Sequence, residues 1–221
     1  MLEQDYIMRM IEQLVQVLAK ILFNKEKGDY NSAFNNIDDA LNAIVGLDYN
    51  IINQLSAEDI IALLKISKHN TAANIKCIVI AKLLKEKTDL EKQNSNDNST
   101  LVYNYQKAIT LYLYGILNNK NVEIDLSNYH PDVKEIAKNI LDNISDETRF
   151  RLFEFYKLIG EYHKAEDELF RLKNLRYPKI EEEGILFFRN LQKLSDIELL
   201  KGNLSKEEVA QGLADFTKAA N

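Results

Sequence analysis

The chain has very few of the residues that punctuate secondary structure: two prolines and seven glycines in 221 residues. Proline removes a backbone donor and clashes with the preceding turn, and glycine is the usual source of left-handed turns. Their scarcity predicts long uninterrupted helices. Runs that alternate apolar and polar residues between turn signals, the mark of half-buried strands, are also missing. Tryptophan is absent and cysteine occurs once. A single thiol cannot close an internal disulfide, which fits a reducing, cytoplasmic setting. Cys77 lies between apolar residues in NIKCIVIAKLL. Free cysteine is among the most buried residue types, so a core position is the expectation for it and a reactive nucleophile is not.

An excess of positive charge is lacking too. There are 28 basic and 34 acidic residues, a net charge of −6, and the two signs are mixed along the chain. No basic face of the size needed to neutralise phosphates is evident, so nucleic acid is not an expected partner. The three histidines, His69, His130 and His163, are far apart. None belongs to a His-x-x-His or Cys-x-x-Cys set, and Glu161 precedes His163 at the wrong spacing for a helical Glu-x-x-His ligand pair. No metal or other cofactor is expected. A phosphate-cradling loop, a dinucleotide glycine fingerprint and a Gly-x-Ser-x-Gly elbow are all missing, which removes the usual signs of nucleotide chemistry and of an activated serine. Acid pairs such as Asp38-Asp39 and Glu166-Asp167, and the run Glu181-Glu182-Glu183, read as solvated helix charge. The last of these follows Pro178, where acids favour the helix dipole. The chain is not expected to be an enzyme, although fold alone never decides that point.

A long apolar run is the last thing absent. MLEQDYIMRMIEQLVQVLAKILF is interrupted by Glu3, Asp5, Arg9, Glu12 and Lys20, which excludes a membrane span or secretory leader in that stretch. What remains is an amphipathic helix over 1–24, with Ile7, Met10 or Ile11, Leu14, Leu18, and Ile21 or Leu22 at helical spacing and Val15 and Val17 widening the stripe. Such a stripe must be covered by the chain's own core, by a second copy through residues 2–23, or by a membrane surface. The near balance of acids and bases argues against the last.

Helical periodicity fills the rest. The expectation is about ten helices in one all-α domain over 1–221, with helix starts near Tyr30, Ala57, Thr71, Pro131, Ser145, Tyr162 and Pro178 and a short terminal helix after the Ser205-x-x-Glu208 capping box. A single helix is expected from Pro178 to Leu200, and His69 and Asn70 read as a break. The polar, Asn- and Ser-rich stretch 91–100 is expected to be a mobile loop.

Two stretches share a pattern: GDYNSAFNNIDDA at 28–40 and GEYHKAEDELFRL at 160–172. Each has glycine, an acid, tyrosine, and alanine three positions after the tyrosine. The segment 146–172 resembles one tetratricopeptide unit, an antiparallel helix pair with a glycine turn and a Tyr-x-x-Ala step on its second helix. Gly160 would reverse the chain, Ala165 would admit close helix approach, and Leu152, Tyr156, Leu169 and Leu172 would fill the space between pairs. A third trace is Tyr105-Gln-Lys-Ala108. The separations among Tyr30, Tyr105 and Tyr162 are not multiples of the ~34-residue period, and Phe153 stands where that family prefers a small residue.

The resemblance implies antiparallel helix pairs stacked as a right-handed array whose concave face binds another protein or a peptide. Carried onto the best-matched unit, it places Glu147, Phe150, Glu154 and Lys157 on that face. Taken whole, the chain is also similar to a family of uncharacterised bacterial proteins that open with a segment like QDYIMRMIEQLVQVLAKILF at 4–23. That likeness implies a bacterial cytosolic protein and no particular activity. The expectation is therefore a non-catalytic interaction module, with a peripheral membrane protein or self-associating structural protein as the alternative and an enzyme with an unfamiliar all-α site as the third.

Overall fold

The computed structural model describes residues 2–66, 70–94, 98–119 and 124–218. Among these residues the fold is all-α, with no strand. The helices are α1 (Leu2–Glu26), α2 (Tyr30–Ala40), α3 (Tyr49–Gln54), α4 (Ala57–Lys65), α5 (Asn70–Asn94), α6 (Asn98–Leu117), α7 (His130–Ile140), α8 (Asp146–Leu158), α9 (Tyr162–Asn174), α10 (Ile180–Leu191), α11 (Asp196–Lys201) and α12 (Lys206–Lys218). Within the chain two compact units are distinguished, Met1–Asn143 and Ile144–Asn221.

In the first unit, α1 folds back onto α2 at Gly28, whose φ of 72° is the left-handed region that glycine enters without strain. The Gly28 N–H donates to the Lys25 carbonyl at 3.0 Å and the Asp29 N–H to the Asn24 carbonyl at 2.9 Å, a Schellman cap. The Asp29 carboxylate then accepts from the Ser32 N–H and opens α2. After α2 a single π-helical turn, Leu41–Val45, carries the chain to Gly46, which stops it in the left-handed region. The Ser56–Asp59 capping box expected at the start of α4 is present in both directions.

Helix α5 is buried nearly all round, and the charged side chains this encloses, Lys82, Lys85 and Lys87, are each paired with a carboxylate. Its main neighbour is α6. A Cβ on Gly115 of α6 would lie 2.7 Å from the Asn74 carbonyl oxygen, so the two backbones approach as closely as glycine allows. Cys77 is buried in α5, and burial pushes its thiol up to about 12, which removes it as a nucleophile near neutrality.

In the second unit, α8 and α9 form a hairpin at Gly160, with φ 76°. Its cap copies the first: Gly160 N–H to Lys157 carbonyl and Glu161 N–H to Tyr156 carbonyl. Ala33 and Ala165 are both fully buried three residues after their tyrosines. The duplicated pattern therefore encodes one turn and the close helix approach that follows it. Beyond α9, α10 and α12 pack through reciprocal pairs, Gly184 against Phe216 and Gly212 against Phe188.

Four expectations differ from the structure. Residues 91–94 continue α5 and 98–100 open α6, so the polar stretch is helical on both sides. Residues 95–97, like His69, lie outside the described residues. Those polar arms prolong two helices whose last inward-facing residues, Leu90 and Leu101, are buried. Asn70, read as a break, begins α5. The single helix expected over 178–200 is two, because Ser195 and Glu198 make a second capping box that starts α11. Finally, α3 was not foreseen. Lys107, itself buried, donates to the carbonyls of Ile52 and Asn53 at 2.9 Å each and so satisfies its open C-terminal end.

Candidate functional site

The residues proposed for a concave face lie on α8, which begins where the Ser145 hydroxyl accepts from the Thr148 N–H at 3.1 Å. A buried ion pair fixes α8 on α9: Arg149 Nη1 donates to Glu168 Oε2 at 2.7 Å, and Arg171 reaches the other oxygen at 3.3 Å. Burial pushes the Glu168 carboxyl up, and the Arg149 hydrogen bond and charge oppose that shift. The pair sits behind the face and orients it without being displayed on it.

The four candidates stand at helical spacing on one face of α8, Glu147 exposed and Phe150, Glu154 and Lys157 half-buried, and each is engaged by a neighbour within the chain. Phe150 is half-buried and stacks on Tyr177, ring centroids 5.3 Å apart at 18°, with Phe153 at 5.9 Å. Glu147 accepts the Tyr177 hydroxyl at 2.7 Å and pairs with Arg151 at 3.1 Å. Burial and that hydrogen bond push the Tyr177 phenol up to about 12. Glu154 and Lys157 are brought together as an ion pair, and Lys157 also lies 5.1 Å from the centroid of the Phe153 ring.

Of the four, Lys157 lines a cleft. This half-open cavity of about 230 Å³ is formed with Tyr162 of α9, with Glu183, Leu186, Phe187, Asn190 and Leu191 of α10, and with Leu194. Phe187 is buried against Phe153, edge to face at 5.4 Å, a ring contact between α10 and α8. Leu186 stays 54% exposed at the mouth. Glu183 and Leu186 were missed because acids after Pro178 are explained by the helix dipole and one exposed leucine is ordinary. The signal that could have found Leu186 is spacing: 182, 186 and 190 lie on the one face of α10 left exposed.

A second cluster of chemistry-bearing side chains lies in the first unit, between α5, α6 and α7. Lys82 Nζ pairs with Glu86 and Asp132, both at 2.9 Å. Lys85 Nζ meets Asp89 at 2.8 Å, Glu135 at 3.0 Å and Asp132 at 3.8 Å. Tyr112, fully buried, donates to Asp132 at 2.9 Å, and Tyr105 donates to Asp89 at 2.6 Å.

Burial works against the charge on Lys85, but the hydrogen bonds and charges of Asp89, Glu135 and Asp132 outweigh it and hold its pKa above the ordinary lysine value. Lys82 shifts the same way. An ammonium held that firmly is neither base nor nucleophile near pH 7. The cluster reads as a charged joint pinning α7 to α5. Among the described residues, no group of three or more His, Cys, Asp or Glu side chains is placed to hold a metal ion. His163 is exposed, with Nδ1 3.8 Å from Glu166. Among the same residues no helix is long and apolar enough to cross a membrane.

No curated protein and no solved structure matches the chain. Over its whole length, residues 1–221, it matches the family of unknown function DUF6483, and the chain belongs to that family.

Proposed function

We propose that the chain is a tetratricopeptide-like interaction protein of the bacterial cytoplasm that binds another protein or a peptide and performs no chemistry. The observation that carries this reading is the cleft between α8 and α10, with Lys157 and Glu183 at its polar side and Leu186 exposed at its mouth. A cleft of that size accepts one large apolar side chain, and flanking charges select its neighbours. The repeated Schellman turn with its buried alanine supports the array.

The test is affinity capture from native lysate with the purified chain as bait, beside a bait carrying Lys157→Ala and Leu186→Glu. The expected outcome is a discrete protein retained by the first bait and lost from the second. A captured protein indifferent to both changes would remove the cleft from the reading. Turnover of a small molecule by the purified chain would overturn the reading altogether.

A further inference from the structure

Helix α1 buries one stripe and leaves another uncovered. Ile7, Met10, Leu14 and Ile21 face the core of the first unit, where α1 packs on α2 and α5. Met8, Val15 and Leu22 are 46%, 59% and 56% exposed. They stand seven residues apart, with half-buried Ile11 and Leu18 between them. That is the a and d spacing of a coiled-coil seam, about 21 Å long from Met8 to Leu22 at the α-helical rise. The charges of this helix are divided by sequence position. Before Val15 stand Glu3, Asp5 and Glu12 against Arg9, and after it Lys20 and Lys25, with Lys27 just beyond the helix, against Glu26.

We propose that the exposed stripe of α1 pairs with α1 of a second copy of this chain, antiparallel, about a two-fold axis at Val15. Antiparallel pairing sets the acidic half of each helix beside the basic half of the other and opposes the two helix dipoles, whereas parallel pairing sets like halves together. It also makes the seam self-complementary, as a two-fold interface requires: Val15 meets Val15, and Met8 meets Leu22 in both directions because each lies seven residues from Val15. The surface belongs to the first unit and does not depend on how the α8–α10 cleft is read.

The test uses the full chain. Sedimentation equilibrium at micromolar concentration is expected to give twice the chain mass, and Val15→Glu to raise the dimer dissociation constant about tenfold or more. Val15 is exposed, so the variant is expected to keep its helical circular dichroism and melting temperature. Arg9→Gln, away from the seam, serves as the control. Orientation is read by oxidative cross-linking, for which Cys77 gives no background because it is buried. A mixture of Met8→Cys and Leu22→Cys chains is expected to form a disulfide-linked pair, and Met8→Cys alone is not.

A monomer at all concentrations, or a dimer indifferent to Val15→Glu, would overturn the proposal. Efficient cross-linking of Met8→Cys by itself would overturn the antiparallel arrangement. A monomer that co-sediments with phosphatidylglycerol vesicles through the same stripe would replace the second copy with a lipid surface.

Discussion

Gly184 and Gly212 stand where α10 and α12 come closest, each facing a phenylalanine of the other helix. A Cβ on Gly212 would lie 2.3 Å from the Phe188 ring, and Phe188 is fully buried and cannot swing away. Gly212→Ala is therefore expected to destabilise the second unit by about 1–3 kcal/mol, read as a lower urea midpoint with an unchanged slope. Lys85 is 5% exposed and answers three carboxylates. Lys85→Met is expected to cost about 3 kcal/mol, because Asp89 and Asp132 would then face each other with less opposing charge. A melting temperature within a degree or so of the parent chain would mean that the surrounding carboxylates are far better solvated than their burial implies.

Single residues were legible in the sequence where backbone geometry alone fixes them. Gly160, Tyr162 and Ala165 could be read from their order. Phe150 could not, because whether it faces solvent depends on Tyr177, which lies on another segment and stacks over it.

At the scale of the helix, boundaries follow the caps. The carboxyls of Asp59 and Glu198 are held below their ordinary values by hydrogen bonds from the hydroxyl and backbone N–H of Ser56 and Ser195, and Glu208 by the backbone N–H and hydroxyl of Ser205. A carboxyl whose folded pKa is depressed adds stability that is complete above its unfolded value, here 3.8 for Asp and 4.5 for Glu, and that is lost as pH falls through the folded one. Thermal melts between pH 6 and pH 3 are expected to show that loss. A chain carrying Asp59→Asn, Glu198→Gln and Glu208→Gln is expected to start less stable and to lose less over the same interval; equal losses in the two chains would assign the acid sensitivity to other groups.

The caps at Ser56, Ser145 and Ser205 were readable because a capping serine there precedes a fresh apolar period. The one at Ser195 was hidden, since Leu191, Leu194 and Leu199 continue an apolar pattern across the break. Helix α3 left almost no periodic signal in its six residues, and its free end is satisfied from Lys107, far along the chain.

At the scale of the molecule, each unit has its own core. That of the second includes Leu152, Phe153, Leu169, Phe187, Phe188 and Phe216, all buried and all within Ile144–Asn221. The fragment 144–221 is therefore expected to fold alone, with helical circular dichroism and cooperative thermal unfolding. A fragment without a cooperative transition would show that residues before 144 complete its core. The chain's sequence by itself determined that the protein is all helix, where the repeated turn falls, that Cys77 is buried, and that metal-ligand and nucleophile motifs are missing. Each of these follows from local backbone geometry, side-chain periodicity or composition. Only the tertiary structure decided that there are two units, that Lys82 and Lys85 are locked among carboxylates, that Lys157 and Leu186 share a cleft while Phe150 stacks on Tyr177, and that α1 covers one of its apolar stripes and leaves the other bare. Those outcomes depend on which helix faces lie against each other, a property of pairs distant in the chain that no single segment encodes.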